Sequence, residues 1–162
     1  MSMDTFAAVM TGKGTGAIST IQLFGGEASG VLEKIFKPAG ARPAVLETGK
    51  VLVGSVCQGQ RVIDQVTLGC EGPQKFAIHC HGNPLIVSDI MKLLEENSVE
   101  PVSYEHLQQK ILTAGRDINS IALEGKLAIP KAKTLPGTKL IHNQINQGLN
   151  KTVKYWLENI EQ

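Results

Sequence analysis

"KFAIHCHGNPLIVSDIMKLLEE", residues 75–96, joins two kinds of local structure through one turn. "KFAIHCH" reads as a strand, and in an extended strand His79 and His81 point to one face while Cys80 points to the other. Gly82 then turns the chain. Asn83 suits a helix N-cap, Pro84 suits the first helical position, and Leu85, Ile86, Ile90, Leu93 and Leu94 line one face of the helix that follows. The central "HCH" is open to three readings: a metal site, a catalytic pair, or the end of a strand.

Upstream, "DTFAAVM" and "AISTIQLF" are β-capable runs joined by the glycine-rich "TGKGTG", which predicts a hairpin because glycine accepts positive φ. "EASGVLEKIF" places Val31, Leu32, Ile35 and Phe36 at helical spacing, and "KPAGARPA" predicts a loop. "KVLVGSVC" and "VIDQVTL" flank "QGQR" as two strands and their turn, and Gly72-Pro73 breaks the chain before strand five. Downstream, Ser103 predicts the cap of a helix over "YEHLQQKILTA" that Gly115 closes, and "INSIALEGKL" predicts a further short helical stretch. From Thr138, the residues Ile141, Ile145, Leu149, Val153, Trp156 and Ile160 recur every three or four positions, predicting one long helix. Its apolar stripe must dock, either on its own domain or on a second chain. Hairpin-linked strands with grouped helices imply an α+β fold: a small five-stranded, mostly antiparallel or mixed sheet packed by helices, with a C-terminal helix.

The chain has 162 residues, 42% hydrophobic and 19% charged, as expected of a globular protein with a buried core. No apolar run approaches the roughly 18 residues of a membrane span, and the amino terminus lacks a secretory pattern, so a cytoplasmic protein is expected. Cys57, Cys70 and Cys80 are too few and too uneven for a disulfide framework. The net charge of +1 gives no global field for nucleic acid, and the local group Lys126, Lys131, Lys133 and Lys139 reads as a solvated loop in preference to an RNA contact.

None of the motifs supplies a complete reaction centre. His79 and His81 are two metal ligands on one face, and no third is nominated by spacing, so metal binding stands as an alternative to structural histidines. Cys80 faces away from its neighbouring histidines and reads as a small core residue. "TGKGTG" is not G-x-x-x-x-G-K-[ST], and it precedes a strand where a phosphate loop would open a helix. No catalytic residue and no nucleoside-triphosphate site is expected.

Taken together and in order, "TGKGTGAISTIQLFG", "IDQV", "AIHCHGNP" and "LEGKLAI" resemble the amino-terminal domain of the tRNA-modification GTPases TrmE or MnmE. The resemblance covers roughly residues 4–130. It implies a domain similar to folate-binding domains of one-carbon enzymes, which dimerises and holds a tetrahydrofolate derivative in the neighbourhood of Gly14, Gly16 and His81. It also implies that residues 1–130 form this domain and 131–162 the start of a helical domain. In the family, that helical domain contains a GTPase, and a flavin-dependent partner completes modification of the wobble uridine. No GTP hydrolysis is expected of the residues present here.

Several family positions differ. Thr15 and Gln22 stand where the family has arginines suited to an anionic group, Ala77 replaces a glutamate, and "DINSIA", with Ser120, replaces a G-E-F-T-x-R-A segment. Each lost charge-assisted hydrogen bond removes on the order of 1.5–3 kcal/mol of ligand binding. "IHCHG" is nevertheless retained, which points to a fold role at the end of strand five. The expected function is therefore a binding and homodimerisation module of tRNA modification, working with a GTPase or flavoprotein partner. A functional tetrahydrofolate-binding domain and a metal-binding protein are the alternatives.

Overall fold

The computed structural model describes residues 4–12, 14–40, 45–114 and 120–160. The chain divides into two compact units, residues 1–107 and 108–162.

The first unit is a sheet with helices on one face. Its strands are β1 (Phe6–Val9), β2 (Ile18–Phe24), β3 (Phe36–Pro38), β4 (Val51–Gln58), β5 (Arg61–Gly72), β6 (Lys75–His81) and β7 (Glu100–Pro101), in the order β3-β4-β5-β6-β2-β1-β7. The two expected hairpins form as antiparallel pairs, β1 with β2 and β4 with β5, and β6 also pairs antiparallel with β5. Gly59 turns the second of them at φ +61°, a left-handed conformation that a side chain would strain. Helices α1 (Ala28–Ile35) and α2 (Pro84–Glu96) bring Val31, Leu32, Ile35, Ile90, Leu93 and Leu94 into the core. On the sheet, Leu68, Ile78 and Ile21 form one fully buried cross-strand row over β5, β6 and β2. Such a row is favoured because the two-residue period sets all three side chains on the helix-covered face.

The cap of α2 follows the sequence: Asn83 Oδ1 accepts from Leu85 N at 2.9 Å, with Pro84 at the first helical position. Ser103 Oγ likewise accepts from His106 N at 3.2 Å and opens α3 (Tyr104–Ala114). Gly115, expected to close that helix, lies outside the described residues.

The sheet has seven strands, not five. Phe36–Pro38 was expected to be helix end and loop, yet it pairs antiparallel with β4 as Phe36↔Val56 to Pro38↔Gly54. Gly54 makes this possible: a Cβ there would lie 2.6 Å from Phe36 Cζ and against the Lys37 carbonyl, so only glycine lets the two backbones approach. Glu100–Pro101 forms the seventh strand, parallel to β1, held by Glu100 N donating to Thr5 O at 2.8 Å and Val102 N to Ala7 O at 2.9 Å. Strands of two or three residues are too short to show alternation, and their partners are distant in sequence.

The second unit contains α4 (Ser120–Ala128), a 3-10 turn at Ile129–Lys131, α5 (Leu135–Asn146) and α6 (Leu149–Glu158). The single long helix expected from Thr138 onward is therefore two. Asn143 O accepts from both Gln147 N and Gly148 N at 2.8 Å, and Gln144 Oε1 accepts from Leu149 N at 2.8 Å, so the chain is capped and restarted at Gly148. The apolar stripe continued through this break because Ile145 and Leu149 keep a spacing of one turn. Among the described residues, no helix is long and apolar enough to cross a membrane.

Candidate functional site

The face of the sheet opposite α1 and α2 is where the sequence candidates converge. Register places Val53, Thr67, His79 and Thr20 in one row across β4, β5, β6 and β2, with His81 opposite Ile18 at the strand ends. Ile18, Gln65, Thr67, His79, Cys80 and His81 surround a shallow depression of about 170 Å³.

The two histidines do share a face, but each ring is tied to a different neighbouring strand. His79 Nδ1 lies 3.0 Å from Thr20 Oγ1 on β2. His81 Nδ1 lies 2.7 Å from Asp64 Oδ1 on β5, and His81 backbone N donates to Asp64 Oδ2 at 2.8 Å. Against a carboxylate the ring nitrogen must carry a proton, so Nε2 is the open nitrogen of His81. Asp64 is 8% exposed, whereas the His81 side chain is 68% exposed. The carboxylate is therefore a buried anchor and the imidazole its outward extension. Among the described residues, no group of three or more His, Cys, Asp or Glu is placed to hold a metal ion.

Asp64 is the residue that sequence reading passed over. Its only trace was an acidic position inside the otherwise apolar "IDQV" run, and nothing local named His81 as its partner.

Gly16 is brought to this end of the sheet. Its N–H donates to Gly82 O at 3.1 Å, and Gly82 N donates to Ala17 O at 3.1 Å, so the "TGKGTG" loop and the "HCHG" turn are stitched by two backbone bonds. Gly14 stands at φ +127° with open space around it and does not line the depression.

Cys80 is 2% exposed, with Sγ 3.6 Å from Ser19 O. Burial raises its thiol above the ordinary value of 9.0, and the Asp64 carboxylate raises it further. Burial likewise raises Cys70, partly opposed by Lys50. A raised thiol is protonated at neutral pH and a poor nucleophile. All three cysteines are buried, so a thiol-exchange reagent at pH 7.5 is expected to label none of them within minutes and all three after denaturation. Rapid stoichiometric labelling of Cys80 in the folded protein would contradict this placement.

A tetrahydrofolate derivative fits this geometry poorly within one chain. A depression of about 170 Å³ is well below the roughly 300–1,000 Å³ of pockets that enclose such ligands. Gln22, at one of the departed arginine positions, is 5% exposed and donates through Nε2 to Glu71 Oε2 at 2.6 Å, while Ala77 offers no polar group. A second surface would have to complete the enclosure.

Comparison with known proteins agrees with the arrangement of motifs. The chain is 27% identical over 159 residues to the tRNA modification GTPase MnmE of Clostridioides difficile (strain 630), covering 93% of this chain and 34% of that protein. It is 29% identical over 162 residues to the protein of the same description from Bacteroides thetaiotaomicron, again covering 93% and 34%. The chain thus spans about a third of the length of the curated relatives it matches. The family described as "GTP-binding protein TrmE N-terminus" matches residues 5–104, which takes in all seven strands, both capping turns and the Asp64–His81 pair, and the chain belongs to that family.

Proposed function

We propose that the chain is a TrmE/MnmE-type binding and dimerisation module serving tRNA wobble-uridine modification in the cytoplasm, with no GTP hydrolysis of its own. A GTPase or flavoprotein partner supplies the chemistry. The observation that carries this reading is the family match over the sheet unit, and exposed β-branched side chains on the open sheet face support it. Ile18, Val51 and Val53 share that face and are 64%, 68% and 63% exposed. Three β-branched side chains spread over β2 and β4 suit burial against their own copy, because a two-fold axis returns the same patch to itself.

Sedimentation velocity over a concentration series tests the dimer. A reversible dimer is expected, and Val53→Asp raises its dissociation constant at least about tenfold by placing a charge in the contact. A monomer at every accessible concentration would refute the module's dimerisation.

A second reading keeps a tetrahydrofolate derivative beside Gly14, Gly16 and His81. It is favoured by the backbone bonds that set Gly16 next to the His81–Gly82 turn, and it requires the second copy to supply the missing wall. Calorimetry with 5-formyltetrahydrofolate is the test. Binding heat lost in Val53→Asp would support a site completed by the dimer, and no heat from the dimeric protein would remove this reading alone.

A further inference from the structure

Between Glu124 and Glu158 the sequence holds no acidic residue, while Lys126, Lys131, Lys133, Lys139, Lys151 and Lys154 are all exposed. The helical unit organises this charge. Ile145 and Ile141 of α5 pack on α4 at Gly125, where a Cβ would lie 2.7 Å from Ile145 Cδ1. That contact fixes which side of α5 is turned away from α4.

On another stripe of the same helix lie Lys139, His142, Asn143 and Asn146, at intervals of three and four residues. Together with Ile129 and Thr138 they line a cleft of about 510 Å³ within the unit. Asn146 Nδ2 donates to His142 O and to His142 Nε2, both at 3.1 Å, which fixes the amide and sets the imidazole proton on Nδ1. With Gln147 also in its lining, the cleft combines one cation, three amides, a planar ring and an apolar wall. On α6 of the same unit, Tyr155 and Trp156 are 63% and 59% exposed.

We propose that this α5 cleft, with Lys139 in its wall, and the exposed lysines of the same helical unit form a contact surface for single-stranded RNA. Lysines neutralise phosphates without reading sequence, amides in a cleft hydrogen-bond base edges, and exposed planar rings stack on unpaired bases. An acidic protein would answer the charge but would leave the amide-lined cleft and its imidazole unused. The surface goes beyond the dimer reading and does not depend on it.

Fluorescence anisotropy of the whole chain with a labelled, unstructured RNA oligonucleotide, across a salt series, is the test. The logarithm of affinity is expected to fall with the logarithm of salt at a slope between about −2 and −4, for roughly three to six phosphate contacts. The double variant Lys133→Glu/Lys139→Glu weakens binding more than about tenfold and makes the slope shallower by about 1.4, whereas Asn143→Ala weakens it about fivefold at unchanged slope. Lys92→Glu, in the sheet unit, is a charge-reversal control with half the charge change and stays within about twofold.

The proposal is overturned by no binding at low salt, by equal weakening in Lys92→Glu, or by competition from polyglutamate as effective as from unlabelled RNA. Circular dichroism on each variant separates lost contact from lost fold. Repeating the titration with Val53→Asp keeps the outcomes apart, because RNA binding there persists even if the dimer is lost.

Discussion

Gly82→Ala is expected to lower the stability of the sheet unit by roughly 3 kcal/mol, enough to unfold a marginal domain at physiological temperature. A Cβ at Gly82 would lie 2.6 Å from the carbonyl carbon and 3.0 Å from Cα of Gly16, and closer still to its carbonyl oxygen. These are backbone atoms, so no rotamer change relieves the overlap. The strands would have to separate where Gly16 N donates to Gly82 O and Gly82 N to Ala17 O, and those bonds would weaken together with the contact. Gly59→Ala is the matched control: it has open space around it and only the cost of a left-handed φ, about 1 kcal/mol. Urea denaturation followed by circular dichroism reads both. Equal midpoints for the two variants would show that the loop and the turn are not in the contact described.

Asp64→Ala is expected to cost roughly 2–4 kcal/mol, since it removes the acceptor for two N–H groups of His81 at once. Most of that loss comes from the backbone bond. The imidazole is well exposed, so solvent screens its interaction with the carboxylate and it contributes little net stability. His81→Ala, which deletes the ring but keeps the bond from His81 N, is accordingly expected to cost less than about 1 kcal/mol. Asp64→Asn falls between, because its single carbonyl oxygen serves one donor. If Asp64→Ala proves as mild as His81→Ala in the same denaturation series, the carboxylate does not anchor the strand end.

Both predictions concern the "HCHG" segment, and both assign it a role in the architecture. The alternation that predicted strand five also fixed Cys80 inward and the histidines outward, and the structure keeps that division. It did not show that the rings are pulled to opposite sides, His79 to Thr20 and His81 to Asp64, because neither partner has any local mark in the sequence. The same holds for Gln22. As a departure from the family it read as a lost cation, yet in the fold its amide is engaged by Glu71.

Elements whose cause lies within a few residues are legible in the chain before it folds. The β6 strand, the Asn83 cap with Pro84 behind it, the Ser103 cap and the Gly59 hairpin all follow from side-chain period, cap chemistry or glycine's freedom. That Phe36–Pro38 and Glu100–Pro101 are strands, that α5 and α6 part at Gly148, and that Asp64 anchors His81 emerges from the folded arrangement alone. The edge strands and the anchor depend on hydrogen-bond partners far along the chain, and the helix break on caps that an unbroken apolar period conceals, so neither leaves a pattern of its own to read.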